Sequence, residues 1–482
     1  MAHRRPRRQS RGFTLVELMS AATIGIIILL GIVEAFRSIA GAVSDGRSNV
    51  ELSTSLRLAS TRLRADLEGI TVPARPLPDA GAAMGYIELH EDVDFNNPLP
   101  YSPGIDTDKS FQIINNAGNV TLNLNDSITG DLDDCIMFTT RSLSEPFGGR
   151  VENRVVNNAN FGYTRLESAH AEVIYWLQYE NTVKGIPLYT LRRRALLIRP
   201  DLNVNGALPN IPAGQIALPA NYLTFLNEND LSVSVLPNGR LRANSLADLS
   251  IRRNRVAHDW TTWPNHIVRT NIPNYFGIAM SNGYFAGEDI VIDNVIGFDM
   301  RVYDPRASIQ VDPTGAHTQI PTDPGHGSAN NGTLGLGAFV DLGYAMNAAG
   351  TYNNVSFFSS APHPKSFMFN GLNGPAVPVY DTWTNYYERD GINQDGDVDG
   401  NNNPVIDEGT DGIDNANDVP PPNSVTYPNP GVAINAVDDV LERETSAPYP
   451  FALRGMQLVI RCFDPSNNQT RQVTVTHDFT PE

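Results

Sequence analysis

An acidic, glycine-rich stretch at residues 388–418 holds the densest set of side chains able to do chemistry. Asp395, Asp397 and Asp399 occupy alternate positions within it, and Gly400 follows directly. This is the pattern of the first half of a calcium-binding loop, in which alternate carboxylates direct hard oxygens at one cation and the glycine permits a sharp turn. The spacing therefore predicts a structural Ca²⁺ site.

The second half of the stretch departs from the standard calcium loop. The bidentate acid expected after the glycine falls on Ile406, which cannot bind a cation, but Asp407 and Glu408 follow it. A shorter pattern at 390–393 returns at 411–414, which indicates two related turns that share ligands. The alternative is a solvated acidic loop, although repulsion among so many like charges favours a bound cation. The predicted ligands are Asp390, Asn393, Asp395, Asp397, Asp399, Asp407, Glu408, Asp411 and Asp414.

The sequence carries none of the common catalytic motifs. It has no Gly-x-Ser-x-Gly, His-Glu-x-x-His, P-loop or Cys-x-x-Cys pattern, and its nine histidines are scattered. The formal charge is −18, and it would fall to −23 without the five arginines of residues 1–12. So acidic a chain is a poor candidate for binding nucleic acid. We therefore predict a non-enzymatic protein with no nucleic-acid partner.

The chain has two cysteines, Cys135 and Cys462. In an oxidising compartment two cysteines can form a disulfide. The alternative is a pair of buried thiols, which pack as small apolar side chains. The sequence gives no distance between them, so both interpretations stay open.

A carboxylate inside an apolar run marks the N-terminus. Residues 1–12 form a basic leader, and the 24 residues from Phe13 to Phe36 are interrupted by acids only at Glu17 and Glu34. As a helix this run would be about 36 Å long, enough to cross a bilayer core of about 30 Å. Leader arginines and an acidic remainder predict a single-pass inner-membrane helix over 13–36, with the leader in the cytoplasm and the rest in the periplasm or on the cell surface.

An ordinary secretory signal peptide does not explain this layout. No small-residue cleavage site follows the apolar run, and the Glu17 carboxylate is costly in lipid unless it meets a cation. If the chain is cut before Phe13, the new α-amine lies four residues from Glu17 on the same helix face. Glu17 would then neutralise its own chain's amine or that of a neighbour.

The segment Arg11-Gly-Phe-Thr-Leu-Val-Glu17 resembles the prepilin-type cleavage and methylation segment of type IV pilins and pseudopilins. The resemblance implies that a prepilin peptidase cuts between Gly12 and Phe13 and methylates the Phe13 amine. It also implies that Glu17 guides the subunit into a filament of other pilins. Major pilins often carry a proline where Glu34 stands, so this departure favours a minor pilin or pseudopilin.

Weaker similarities extend into the rest of the chain. Residues 63–67, 134–142 and 172–177 resemble PilW-like minor pilins and J-type minor pseudopilins. The region around 200–450 lies outside the resemblance.

The apolar helix is predicted to continue as an amphipathic helix over 37–72. One face carries an apolar stripe spaced by three and four residues, formed by Leu52, Leu56, Ala59, Leu63, Leu67 and Ile70. The opposite side is predicted to hold Arg57, Arg62, Arg64, Asp66 and Glu68. Gly41 and Gly46 are weak points where the helix could kink, and the prolines from Pro73 onward should end it.

Residues 73–482 are predicted to form a β-rich extracytoplasmic domain. Segments 172–179 and 188–198 should pair around Lys184-Gly185, and 456–463 should pair with 472–476. Further strands are predicted at 135–140 and 289–292. Composition marks 306–450 as a large insertion in this domain, because Gly, Pro, Asn and Asp dominate it.

Two segments share an Arg-x-aromatic-Asp-Pro ending. These are 299–305 and 459–465, and we expect both to be strands that stop at an Asp-Pro turn.

The predicted fold is therefore α+β, a long N-terminal helix followed by a sheet domain with large insertions. The predicted function is a membrane-anchored minor pilin-like or pseudopilin-like structural subunit of a type IV pilus or a type II secretion machine. Its predicted partners are the prepilin peptidase, other pilins and the membrane. The alternative is a calcium-dependent surface adhesin or glycan-binding protein that uses a pilin-type anchor.

Overall fold

The computed structural model shows one long helix followed by a strand-rich domain, which confirms the predicted α+β class. The residues that it describes are 14–76, 82–91, 112–114, 120–122, 132, 134–152, 163–202, 204, 222, 225–226, 229–236, 240–256, 258, 290–321, 323, 326–327, 330–344, 358, 379–393, 404, 406–407 and 443–479.

The helices are α1 (Leu15–Glu68) and a one-turn helix, α2 (Leu246–Leu249), with short 3-10 turns at Arg252–Asn254 and Asn385–Arg389. The strands are β1 (Ile87–His90), β2 (Gln112–Ile114), β3 (Val120–Leu122), β4 (Cys135–Arg141), β5 (Phe147–Glu152), β6 (Tyr163–Ser168), β7 (His170–Val183), β8 (Ile186–Leu197), β9 (Val233–Val235), β10 (Leu241–Ala243), β11 (Ile290–Val311), β12 (Thr318–Gln319), β13 (Gly332–Val340), β14 (Val379–Asp381), β15 (Gly455–Asp464) and β16 (Gln469–Asp478).

Helix α1 is continuous over 54 residues, a length of about 81 Å. It runs through Gly41 and Gly46 without a break, because a glycine in a helix costs only about 1 kcal/mol and does not block its hydrogen bonds. The helix ends at Gly69 and not at the prolines. The Gly69 carbonyl accepts a hydrogen bond from Arg141 N at 2.7 Å, and a Cβ on Gly69 would collide with the Arg141 carbonyl.

The predicted apolar stripe of α1 packs on the sheet. Leu56, Ala59, Leu63 and Leu67 are buried in the main core, and the end members Leu52 and Ile70 lie at its margin. One residue assigned to the solvent side is misplaced in the prediction. Asp66 is only 3% exposed and points into the sheet, where it pairs with buried polar side chains.

The main sheet has ten antiparallel strands, eight of which follow the order β14-β1-β4-β7-β8-β11-β15-β16, with β12 and β13 also paired to β11. Both predicted hairpins form. Strands β7 and β8 are joined by Lys184 and Gly185, whose φ angles of 53° and 82° fit the two-residue turn favoured in hairpins. Strands β15 and β16 pair without a bulge from Gly455↔Asp478 to Asp464↔Gln469.

Only one of the two Asp-Pro segments ends its strand. Strand β15 stops at Asp464 as predicted, but β11 continues through Asp304 and Pro305 to Val311. There the Asp304 carboxylate accepts the Arg306 N–H at 2.8 Å, and the pairing with β13 skips to Ser308. A proline is tolerated in a strand at such an irregularity.

The insertion at 306–450 contributes to the main sheet. Strands β12 and β13 pair with β11, and β14 pairs with β1 at the sheet edge.

Apolar cores lie on both faces of the sheet. One face packs on α1, and the other packs on the segment that contains β9, β10 and α2. Cys135 belongs to the second core and Cys462 to the first, so they face opposite sides of the sheet. Four strand spacings, about 19 Å, separate β4 from β15. The two cysteines are therefore buried thiols without a disulfide. Burial raises the pKa of Cys462 to about 12.

Candidate functional site

The first turn of α1 fixes the Glu17 side chain. The Glu17 carboxylate accepts hydrogen bonds from Thr14 N and Thr14 Oγ1, both at 2.9 Å, and Glu17 N donates to Thr14 Oγ1 at 3.3 Å. This reciprocal arrangement is a capping box, which satisfies free donors at a helix start. The Thr14-x-x-Glu17 spacing is itself the sequence signature of this motif, so the local sequence carries the signal for it. The predicted processing residues, Gly12 and Phe13, lie outside the described residues.

The N-terminal half of α1 contacts no part of the described domain. Every side chain from Thr14 to Gly41 is exposed, including Leu15 at 75% and Phe36 at 69%. By length and composition this helix is able to cross a membrane. The charged residues Glu34 and Arg37 approach to 3.8 Å near the end of the apolar run. An apolar helix exposed over this length needs lipid or other protein around it.

The C-terminal end of α1 is held by a buried polar contact. The Asp66 carboxylate accepts Arg193 Nε at 2.5 Å and Arg193 Nη2 at 3.0 Å, and it also accepts the Tyr175 hydroxyl at 2.5 Å. The Asp66 carbonyl accepts Thr140 Oγ1 at 2.7 Å. Burial raises the pKa of Tyr175 well above its ordinary value, so its hydroxyl keeps the proton that it donates. These contacts with β4, β7 and β8 fix the last turn of the helix to the sheet.

A second buried polar cluster lies on the other side of the sheet. Arg252 Nη2 and Arg255 Nη1 each lie 2.7 Å from a Glu88 oxygen, and Arg255 Nη1 lies 2.9 Å from both Asp381 oxygens. His258 Nε2 lies 3.1 Å from Glu88. All five residues are almost fully buried. The cluster joins the segment after α2 to strands β1 and β14.

Burial and charge act in opposite directions in this cluster. Burial opposes the charge on Glu88, but the nearby Arg252 and the hydrogen-bonded His258 hold the Glu88 pKa well below its usual range. Burial raises the pKa of Asp381 to about 6 and lowers the pKa of His258 to about 4. Both ring nitrogens of His258 face acceptors, the Val256 carbonyl at 2.8 Å and Glu88 at 3.1 Å, so these contacts act against burial. Sequence reasoning missed this cluster, because its members come from segments far apart in the chain.

Three predicted calcium ligands, Asp390, Asn393 and Asp407, lie among the described residues. Gly391 N donates to both Asp407 oxygens at 3.1 and 3.2 Å, and Asp407 N donates to Glu444. These contacts bring the two ends of the 392–406 segment together. Asp395, Asp397, Asp399, Glu408, Asp411 and Asp414 lie outside the described residues. Within the described part of the chain, no group of three or more His, Cys, Asp or Glu residues is placed to hold a metal ion.

Comparison with known proteins gives one match, at the N-terminus. The prokaryotic N-terminal methylation motif matches residues 7–33. No curated protein and no solved structure matches the chain. The motif spans the end of the predicted leader, the predicted cleavage site and the exposed start of α1. It supports a type IV pilin-like subunit that is processed by a prepilin peptidase, and it points to a structural and not an enzymatic role.

Proposed function

Starting from the prepilin-type segment that the chain carries, we propose that it is a minor pilin-like or pseudopilin-like subunit of a type IV pilus or a type II secretion machine. One observation carries the proposal. The helix that bears the motif is apolar and exposed over its first half, and its second half packs on a folded domain. Such a helix is suited to join a helical assembly while it displays the attached domain.

The proposed mechanism is burial of the residues from Phe13 to Phe36, first in the membrane and then against the helices of other subunits. The leader lies in the cytoplasm and the sheet domain outside it. The capping box holds the Glu17 carboxylate at the start of the helix, beside the backbone N–H of Thr14. A carboxylate fixed there has a defined position from which to pair with the N-terminal amine of a neighbour, and that charge pair would set the register between helices.

Mass spectrometry of the membrane-extracted protein tests the proposal. We expect a mature chain that starts at Phe13 and carries a methylated amine. A chain that retains Met1, or one that is cut after residue 36, would contradict the proposal.

We further propose that the stretch 388–418 binds Ca²⁺ and that the ion stabilises the domain. The contact between Gly391 and Asp407 supports this, because it closes the segment in which the alternate carboxylates lie. Carboxylate oxygens are the ligands that Ca²⁺ prefers. If the protein were instead a calcium-dependent adhesin, it would be retained on extracellular polymers in calcium and released by a chelator.

A further inference from the structure

Strand β16 is an edge strand of the main sheet that the described residues form. Among the described strands β15 is its only neighbour, and the two pair over ten residues without a bulge. The opposite edge differs, because β14 has three residues and all of them are buried. The sheet therefore protects one edge and leaves a long, regular strand at the other.

The register shows which backbone groups of β16 have no partner among the described strands. Phe479 N donates to the Arg454 carbonyl at 2.9 Å, and these two residues lie opposite each other in the continued ladder. In an antiparallel pair, opposite residues alternate between those that exchange hydrogen bonds and those that do not. The odd-numbered residues of β16 therefore bond to β15. The N–H and C=O groups of Thr470, Gln472, Thr474 and Thr476 point away from the sheet.

The side chains of β16 leave this edge accessible. Thr470, Gln472, Thr474 and Thr476 have exposed, uncharged side chains, and the last residue of the strand, Asp478, is charged. On the other face Val475 lies in the main core beneath α1 and the partly buried Val473 packs against that core. Natural edges are commonly blocked by a bulge, a proline or inward-pointing charge. From Thr470 to Thr476 the strand has no proline and no bulge, and its one charged residue is Arg471. The edge is thus a template for another strand, about 20 Å long.

We propose that β16 accepts an extended strand of a neighbouring pilin-type subunit, which would add to the sheet by β-augmentation. This inference rests on the proposed function and names a second contact in the same assembly. Helix α1 packs against β16 more than against any other strand. A subunit that packs on the exposed half of α1 is therefore brought to the side of the domain where this edge lies.

The composition of the chain indicates what kind of strand fits. A second copy is disfavoured, because each mature chain carries a formal charge of −23 once the leader arginines are removed from the total of −18, and like charges repel. Along the edge, Thr470, Gln472, Thr474 and Thr476 are uncharged, and the strand ends at the acidic Asp478. The partner strand should therefore be neutral or basic, and it should come from a different subunit. It would pair through the backbone groups of these four residues.

Hydrogen exchange with residue resolution tests the pairing without changing the protein. In the isolated full-length chain, we expect fast exchange at the amides of Thr470, Gln472, Thr474 and Thr476 and slow exchange at Val473 and Val475. In assemblies extracted from native membranes, the four fast amides should slow by at least about tenfold. If they exchange equally fast in both states, the proposal is wrong.

A proline substitution tests the same edge in cells. Thr474→Pro removes an outward N–H, and Thr474→Ala is the matched control that keeps it. Both variants should melt within a few degrees of the wild type. Photocrosslinking from Gln472 to another subunit with its own prepilin-type N-terminus should fall about tenfold in Thr474→Pro alone, as expected for the loss of one hydrogen bond and a steric clash. Equal crosslinking in both variants would overturn the proposal.

Crosslinks from the exposed half of α1 separate this inference from the proposed function. In Leu30→Cys, a bifunctional maleimide should link the new thiol to a cysteine placed in the N-terminal helix of another pilin-type subunit. If that crosslink forms while the β16 amides stay unprotected, β-augmentation is wrong and the pilin-type function stands. If neither contact forms in wild-type membranes, the proposed function fails as well.

Discussion

The two halves of α1 are parts of one unbroken helix, but they have opposite surroundings. From Leu15 to Gly41 every residue is exposed and most are apolar, whereas from Leu56 to Leu67 one apolar stripe is buried and the other side is mostly polar. A stripe is typical of a helix that has one partner surface, and a uniformly apolar surface is typical of a helix surrounded by lipid or protein. The second half finds its partner in its own sheet. The first half has no partner surface among the described residues.

The largest effect is expected from breaking the contact that holds the packed half. Asp66→Ala leaves the Arg193 guanidinium buried without its partner, which should lower the free energy of unfolding by about 3–5 kcal/mol. Urea unfolding of the detergent-solubilised full chain measures it. Glu51→Ala is the matched control, because Glu51 pairs with Arg47 on the exposed surface of the same helix. If both variants unfold alike, Asp66 does not hold the helix.

A pair of leucine-sized truncations sharpens the contrast between the two halves. Leu63 is fully buried, so Leu63→Ala should destabilise the domain by about 2–5 kcal/mol. Ile27→Ala removes a similar side chain from the exposed half and should leave domain unfolding unchanged. The same urea titration compares them. Destabilisation of the domain by Ile27→Ala would show that the first half packs on its own chain.

Acid should weaken the domain through His258. Its pKa is about 4 in the folded state, below the ordinary value of about 6.5, so between these pH values the unfolded chain binds a proton that the folded chain does not. The His258 contribution to stability is therefore lost as the pH falls from 6.5 to 4, by up to about 3 kcal/mol. Asp381, whose pKa is raised to about 6, acts in the opposite direction.

Comparison of His258→Gln with the wild type isolates the histidine. As the pH falls from 6.5 to 4, the free energy of unfolding of the variant should rise relative to that of the wild type. Urea unfolding at each pH measures this difference. A constant difference across this range would contradict the assigned protonation.

Calcium should stabilise the domain by a smaller amount. A ligand that binds only the folded state contributes about 2.7 kcal/mol at a hundredfold excess over its Kd, which corresponds to a few degrees in Tm. Asp397→Ala combined with Asp399→Ala should abolish this gain without unfolding the sheet. The Tm of the full-length chain, measured in calcium, in magnesium and in chelator, tests this stabilisation. Identical melting in all three would mean that the acids form a solvated loop.

The features that could be predicted from the sequence are those set by neighbouring residues. The periodicity of Leu56, Ala59 and Leu63, the hairpin turn at Lys184-Gly185 and the segment around Gly12 are all local patterns. The burial of Asp66 could not be predicted in this way, because it depends on Arg193 and Tyr175 of two distant strands.

Long-range contacts also explain the other errors. Strand β11 passes through Pro305 because Asp304 accepts a backbone N–H and because β13 supports the strand beyond it. The cluster of Glu88, Arg255 and Asp381 can likewise be recognised only when the order of the strands in the sheet is known. The Thr14-Glu17 capping box is different, since it was local and could have been recognised.

The most direct test of the account measures helix–helix contact in native membranes. Leu30→Cys places a thiol in the exposed half, the neighbouring pilin-type subunit is given a cysteine in its own N-terminal helix, and a bifunctional maleimide links the two thiols. The native Cys135 and Cys462 are buried, and burial raises their pKa, so they should not react. Glu17→Ala and the matched control Glu34→Ala are compared in this background. We expect both to insert and be cleaved, and only Glu17→Ala to lose the crosslinks. Crosslinking at the wild-type level in Glu17→Ala would contradict the role of this carboxylate in assembly.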